Sequence, residues 1–134
     1  MGSFGSGDKN IRVSTKNILP GTIREIARDG TVAEVTLELA SGLKLYAVIG
    51  DDCIEELSLA PGTHACAMVK ASSIMISKTP EMSISARNII KGTITTLSDQ
   101  TVLGEITLDV GGGDTITSTI THNSVQRLGL SEGD

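Results

Sequence analysis

Short runs of hydrogen-bond donors are the residues of this sequence best suited to do chemistry. Ser85-Ala86-Arg87-Asn88 combines a hydroxyl, successive backbone N–H groups, a guanidinium and a carboxamide, and Ser14-Thr15-Lys16-Asn17 offers an equivalent set. A third run, Lys70-Ala71-Ser72-Ser73, adds an ammonium and hydroxyls. Such donors suit a tetrahedral anion, because charge-assisted hydrogen bonds are about twice as strong as neutral ones. The alternative is structural: Ser and Asn cap turns while Arg and Lys stay in solvent.

The first two runs belong to an internal repeat. Ser14–Ile23 aligns without gaps with Ser85–Ile94, a shift of 71 positions that continues to the end of the sequence. Asp134 corresponds to Thr63, so no second copy of His64–Ser77 follows. Two explanations stand: the chain is cut or has a further tail, which we favour, or the first domain lends structure to the second.

The elements that would position these donors read as short strands. Apolar residues alternate with polar ones in strands predicted over 17–26, 31–39, 43–49, 65–69 and 73–76. Turns are predicted at 28–30, 40–42 and 61–62, and a helical turn at Cys53–Leu57 with Asp51-Asp52 as its N-cap. About five strands and one short helix in each repeat fit a small closed or partly closed barrel. Domains of this size are marginal alone, so self-association is expected.

Composition excludes several classes of function. Of 134 residues, 39% are hydrophobic and 20% charged, so the chain can bury a core. The formal net charge of −5 argues against nucleic acid or an anionic membrane as partner. Phe4 and Tyr46 are the only aromatic residues, too few for an oligonucleotide-binding barrel with stacking platforms. With no signal-peptide or membrane-spanning pattern, a cytoplasmic location follows by default.

The sequence offers little for catalysis or metal binding. His64 and His122 do not correspond between the repeats, and the Glu55-Glu56 pair lies on the predicted helical turn as a solvated face. Cys53 and Cys66 lack ligand or CxxC spacing and are expected to pack as small apolar groups. We therefore expect no enzyme activity, no cofactor and no metal site.

Several segments resemble one family. Met82–Ile94, the run EITLDV, Gly111–Gly113 and Ile116–Gly133 resemble the Mop domain of the molbindins, which are small cytoplasmic molybdate- and tungstate-binding proteins. Ala67–Ser77 resembles the family's closing segment, which contains a lysine. The resemblance begins near Arg12 and covers nearly all of the chain. With two copies, the chain is similar to the di-Mop members.

This resemblance implies an all-β fold of two tandem OB-like five-stranded barrels, each with one short helical turn. Residues 1–11 would form a flexible N-terminal arm, 12–78 the first Mop-like domain and 82–134 the second, which lacks its C-terminal part. The family assembles as a homotrimer with oxyanions bound between subunits. The anion donors that it implies, directly or through the repeat, are Ser14, Thr15, Lys16, Asn17, Lys70, Ala71, Ser72, Ser85, Ala86, Arg87, Asn88, Ser118 and Thr121.

The expected function is therefore binding of molybdate or tungstate for storage, buffering or homeostasis. A site lined only by donors leaves the proton of phosphate unpaired, a penalty of about 1–3 kcal/mol that fully ionised anions escape. The alternative is an oxyanion-sensing effector domain of a molybdate-responsive transcription regulator. A pterin ligand is disfavoured, since few aromatic residues could stack on it.

Overall fold

The chain folds as two β-sheets, one from each repeat. The computed structural model describes residues 15–79 and 84–134, with side chains from Asn17 onward in the first range. Ser14 and the predicted arm at 1–11 lie outside the described residues. The first repeat contains β1 (Thr15–Arg28), β2 (Val32–Leu39), β3 (Lys44–Gly50), α1 (Asp51–Glu56), β4 (His64–Lys70) and a 3-10 turn (Ala71–Ser73). The second contains β5 (Thr93–Asp99), β6 (Leu103–Gly111), β7 (Asp114–Thr121) and α2 (His122–Leu128).

Strand alternation builds the first core. The first sheet has the order β3-β2-β1-β4 with antiparallel pairs throughout. Ala33, Val35, Leu37 and Leu39 are buried on one face of β2, while Glu34 and Glu38 on the other face stay partly exposed. Ile54 of α1 joins this core. Because side chains along a strand alternate between the two faces of a sheet, the face of β2 opposite the core remains available for contact with other residues.

A β-bulge occurs at the same place in both repeats. The β1–β2 register shifts between Ile23 and Glu25, and the β5–β6 register shifts between Ile94 and Thr96. The extra residues, Arg24 and Thr95, are 71 positions apart. Because each bulge adds one residue, the alternation of side chains between the two faces is shifted by one position beyond it. The two repeats therefore share this irregularity of the backbone as well as their sequence.

The two repeats also exchange core residues. The second core contains Ile94, Ile106, Val125 and Leu130, and Ile76 from the end of the first repeat packs against it. Ile90 from the start of the second repeat packs against the first core. Lys78 also reaches the second repeat, donating to the Gly129 carbonyl at 3.3 Å. These are the contacts expected if the first repeat lends structure to the second.

The tandem all-β fold is confirmed; among the described residues, the first sheet contains four strands and the second three. The predicted strand at 73–76 is a 3-10 turn followed by irregular chain, because Ile76 turns to the second core instead of pairing in the first sheet. The second sheet has three strands, in the order β5-β6-β7. Residues 84–92, which correspond to the part of β1 that pairs with β4, form no strand.

The predicted N-cap of the first helix is also wrong. Gly50 is the N-cap residue, and Asp51 and Asp52 lie within the first turn of α1. The Asp51 carboxylate accepts from Nε and Nη2 of Arg28 at 2.7 and 2.9 Å. A bidentate guanidinium therefore competes successfully with the free N–H groups of the helix for this carboxylate.

No helix in the described parts of the chain has the length and apolar character needed to cross a membrane.

Candidate functional site

Pairing of β1 with β4 brings two of the predicted donor runs together. Thr15 pairs with Lys70 and Asn17 with Val69, and a register shift leaves Lys16 as the extra residue between them. The 3-10 turn carries Ala71 and Ser72 directly beyond β4. The run Thr15–Asn17 and the run Lys70–Ser72, distant in sequence, thus lie side by side. We call this pair the first joint, because it meets β7 of the other repeat.

Asn17 fastens the first joint to the second repeat. Its side-chain amide donates to the Thr117 carbonyl at 2.9 Å and to the Val69 carbonyl at 3.1 Å. Its side-chain oxygen accepts the Thr117 N–H at 2.7 Å. The residue is only 3% exposed. Both hydrogens of its side-chain amide are already used, and these bonds hold β1, β4 and β7 together.

Two other predicted donors are engaged within the protein. Ser118 is fully buried, and its hydroxyl donates to the Ile74 carbonyl at 2.6 Å. The Thr121 hydroxyl caps α2, accepting from Ser124 N–H at 3.1 Å and donating to the Ser124 hydroxyl at 2.9 Å. The Ser118 hydroxyl thus ties β7 to the chain just beyond the 3-10 turn, whereas the Thr121 hydroxyl stabilises the start of α2.

What remains exposed at the first joint is a small set of donors. Lys70 and Ser72 are exposed, whereas Ala71 is 2% exposed. Alanine can offer an anion only its backbone N–H. An ammonium, a hydroxyl and a backbone amide within three residues can still bind an oxyanion that approaches from solvent.

The run Ser85–Asn88 contacts β2 and β3 of the first repeat through Arg87 and Asn88, and we call this contact the second joint. The Asn88 side-chain oxygen accepts the Tyr46 N–H at 2.8 Å, and its amide donates to the Tyr46 carbonyl at 2.9 Å. This bond repeats that of Asn17 to Thr117, because both members are shifted by 71 positions. Each repeat therefore uses the asparagine of its donor run to bind an edge strand of the other repeat.

Arg87 is the most constrained cation among the predicted donors with a described side chain. Its Nε donates to Glu34 Oε2 at 3.1 Å, and its guanidinium carbon lies 3.7 Å from the centroid of the Tyr46 ring. The hydrogen bond with Glu34 raises the pKa of the guanidinium above its ordinary value, so Arg87 keeps its charge. Its side chain is nevertheless 58% exposed. Ser85 and Ala86 are exposed beside it.

The two joints are related by approximate twofold symmetry. Ser41 and Gly112 occupy equivalent positions in the two repeats, and they contact each other: a Cβ at Gly112 would overlap the side chain and backbone of Ser41. Contact between equivalent residues is the mark of an isologous arrangement. Gly112 also has a φ of 61°, a conformation that glycine adopts without strain.

The two histidines of the chain form local hydrogen bonds. His122 Nδ1 lies 2.7 Å from Asp99 Oδ1, and this bond is the main cause that lowers the pKa of Asp99. His64 Nδ1 lies 3.3 Å from the Thr22 hydroxyl. Within residues 15–79 and 84–134, no three His, Cys, Asp or Glu side chains are grouped as metal ligands.

Sequence reasoning missed three residues of the joints: Glu34, Tyr46 and Thr117. All three contact a donor run of the opposite repeat. One signal was present in the sequence. The 71-residue shift pairs Arg87 with Lys16 and Tyr46 with Thr117, and these two differences meet at the joints. These paired differences can be interpreted only once the structure shows that each donor run contacts the other repeat.

Comparison with known proteins gives the family. The TOBE domain model matches residues 13–76 and 84–134. The chain is 36% identical to the molybdenum-pterin-binding protein MopB of Rhodobacter capsulatus over 126 residues, covering 92% of this chain and 46% of MopB. It is 31% identical to the molybdenum transport protein ModE of Azotobacter vinelandii over 124 residues, again covering 92% of this chain and 46% of the relative. The chain thus spans about half the length of the curated relatives that it matches.

A solved structure agrees over the whole tandem fold. The crystal structure of the cytoplasmic molybdate-binding protein ModG, with molybdate bound, superposes with a TM-score of 0.84 at 35% identity. The match covers 92% of this chain and 88% of ModG. The chain therefore belongs to the TOBE-domain family, and its resemblance to Mop-domain proteins is confirmed.

Proposed function

We propose that the protein binds tetrahedral oxyanions, molybdate and tungstate, in the cytoplasm for storage, buffering or homeostasis. One observation carries the proposal: the described parts of all three predicted donor runs lie at the joints of a tandem fold that matches molybdate-bound ModG over 92% of the chain. The relatives named above are binding and transport proteins, which favours binding without catalysis.

The donors divide between the two joints. At the first joint, the exposed Lys70 and Ser72 and the Ala71 N–H would contact the anion, together with Thr15 and Lys16. At the second joint, the contacts would come from Ser85, Ala86 and Arg87. The remaining predicted donors whose side chains are described hold the frame, namely Asn17, Asn88, Ser118 and Thr121. The domain boundaries proposed for these units are 12–78 and 82–134.

Exposed apolar residues favour self-association. Val48, Met68 and Met75 are 66%, 59% and 81% exposed, which is apolar surface suited to contact between subunits. We propose a homotrimer in which donors from neighbouring subunits meet at the anion.

Isothermal titration of the purified protein with four sodium salts tests the proposal. We expect saturable heat with molybdate and tungstate. Phosphate should bind more weakly by about 1–3 kcal/mol, since its proton would face only donors. Sulfate serves as the size control, because it too is fully ionised. Binding of phosphate or sulfate with no response to molybdate or tungstate would refute the proposal.

A sensing role is the second candidate, favoured by a match to the transcriptional regulator ModE of Yersinia pestis, 24% identical over 125 residues. Deletion of the gene separates the two roles in cells. Storage predicts a lower cellular molybdenum content with unchanged molybdate-dependent transcription. Sensing predicts the loss of that transcriptional response.

Pterin is a weaker ligand candidate, although MopB is named for it. Tyr46 is the one aromatic side chain that the structure describes, and its ring already carries the guanidinium of Arg87. A stacked pterin would have to displace that cation.

A further inference from the structure

We infer that Tyr46 and Glu34 are positioning residues that fix the guanidinium of Arg87 so that its terminal nitrogens face an arriving oxyanion. The inference rests on the proposed function and adds a role for two residues that lie outside the donor runs.

Two contacts from different strands determine the orientation of Arg87. The stack on Tyr46, at 3.7 Å from the ring centroid, sets the plane of the guanidinium. The bond from Nε to Glu34, at 3.1 Å, sets its rotation within that plane. Because Glu34 takes the Nε side, the edge formed by Nη1 and Nη2 is left as the end that a ligand can approach. That edge can donate to two oxygens of one tetrahedral anion.

The register of β2 and β3 explains why these two side chains act together. Thr36 pairs with Tyr46 and Glu34 pairs with Val48, so Glu34 and Tyr46 are diagonal neighbours on one face of the sheet. That face is the one opposite the core residues of β2. The Asn88 side chain bonds both the N–H and the carbonyl of Tyr46, which holds the backbone next to Arg87 against the same strand. The Asn88 side chain and the Arg87 guanidinium thus both contact Tyr46 of β3.

The first joint lacks this arrangement by residue type. Lys16 replaces Arg87, and Thr117 replaces Tyr46. An ammonium has no plane to orient, and threonine has no ring on which to stack. Planar cation and aromatic ring therefore occur together at one joint and are absent together from the other.

Glu34 has two opposing effects, which substitution can separate. Its hydrogen bond orients Arg87, whereas its negative charge repels an anion. Glu34→Gln keeps an acceptor for Nε and removes the charge, so oxyanion affinity should equal or exceed that of the wild type. Glu34→Ala removes both and should weaken binding. Glu38→Gln is the matched control, since Glu38 lies on the same strand and accepts from Arg24 at 2.7 Å, away from the joints.

Tyr46 is tested with the residue that stands at the equivalent place. Tyr46→Thr should weaken binding by about two- to fivefold, the factor that a cation–π contact at an exposed site is worth. Tyr46→Phe keeps the ring and should restore wild-type affinity. Because Tyr46 is the only tyrosine and the chain has no tryptophan, tungstate should also cause a saturable change in tyrosine emission. A tyrosine amide solution titrated in parallel corrects for absorption by the anion.

The decisive measurement is titration calorimetry with tungstate on the full chain, after thermal unfolding confirms that each variant is folded. Weaker binding in Tyr46→Thr and Glu34→Ala, with wild-type binding in Tyr46→Phe, Glu34→Gln and Glu38→Gln, is the expected result. If the wild type binds but Tyr46→Thr and Glu34→Ala bind equally well, the positioning role is refuted while the proposed function stands. A wild type that binds neither molybdate nor tungstate overturns both.

Discussion

At the scale of single residues, the donor runs separate into groups that hold the repeats together and groups that face solvent. Asn17 and Asn88 make the same pair of bonds to the opposite repeat, yet Asn17 is 3% exposed and Asn88 is exposed. Arg87 and Lys70 keep exposed charges beside them. We therefore propose that the asparagines contribute mainly to stability and the cations mainly to anion binding.

We predict that Asn17→Ala destabilises the protein more than Asn88→Ala. The first substitution leaves the part-buried N–H and carbonyl of Thr117 without their side-chain partner, at a cost of about 1–3 kcal/mol for each group that stays unsatisfied. The second exposes the corresponding groups of Tyr46 to water, which replaces the lost bonds, and should cost roughly 0.5–1.5 kcal/mol. Thermal unfolding at one fixed protein concentration compares the two. Equal losses would show that the joints are equally buried in solution.

We also predict that Arg87→Ala weakens molybdate binding more than Lys16→Ala. Arginine presents a rigid fork matched to two anion oxygens, whereas lysine offers a point charge on a flexible stem. Titrations of both variants, after their thermal stabilities are matched, give the ranking. A larger loss at Lys16 would mean that the first joint dominates binding.

At the scale of elements, the alternation of apolar residues predicted β1, β2, β3 and β4, and the shift of 71 positions predicted that the second repeat copies the first. Even the β-bulge is copied, at Arg24 and Thr95. What sequence reasoning could not supply is the exchange between repeats. Ile76 belongs to an apolar run that looks like a strand, and only the location of the second core explains why that run stays irregular.

The candidate site was predictable in its residue types but not in its partners. The donor runs of β1 and β4 were identified from the sequence, and antiparallel pairing brings them together. The partners Glu34 and Tyr46 lie 53 and 41 residues before Arg87 and contact it through the twofold relation between repeats. Local patterns report on neighbours in one repeat, so contacts made across a duplicated pair remain hidden from them.

The end of β1 is tied to α1 by a pH-sensitive ion pair. Arg28 binds Asp51 through two bonds, and the hydrogen bond from Arg28 holds the pKa of Asp51 below its ordinary value. A carboxyl whose pKa is lower in the folded state stabilises the fold above its unfolded pKa of about 3.9. That contribution is lost as the pH falls through the folded pKa.

We therefore predict that Asp51→Asn lowers the melting temperature at neutral pH, and that the difference from wild type shrinks below about pH 4. Melting temperatures measured between neutral pH and pH 2 test this. Asp52→Asn is the control, because Asp52 lies in the same helical turn and makes no bond to Arg28 in the described structure. A difference that stays constant with pH would mean that Asp51 acts through packing rather than charge.

At the scale of the whole molecule, each repeat is too small to bury a large core, and exchange of Ile76 and Ile90 makes the two cores depend on each other. Apolar residues nevertheless remain exposed on both repeats, including Met75 and Ile89. The two repeats therefore form one folded unit, and part of the surface of this unit is apolar and exposed.

We predict that this unit forms a homotrimer and that molybdate tightens it. A ligand held between subunits binds only the assembled form, so mass action shifts the equilibrium toward assembly. Sedimentation velocity over a dilution series, with and without molybdate, gives the subunit number and its dependence on the anion. Met68→Lys on the exposed side of β4 should promote dissociation, since it places a charge in apolar surface, while Lys44→Glu tests a change of charge on an exposed position of β3. A monomer at micromolar concentration that binds molybdate with full affinity would place the anion within one chain, at the joint that Asn17 and the lysine-containing run already form.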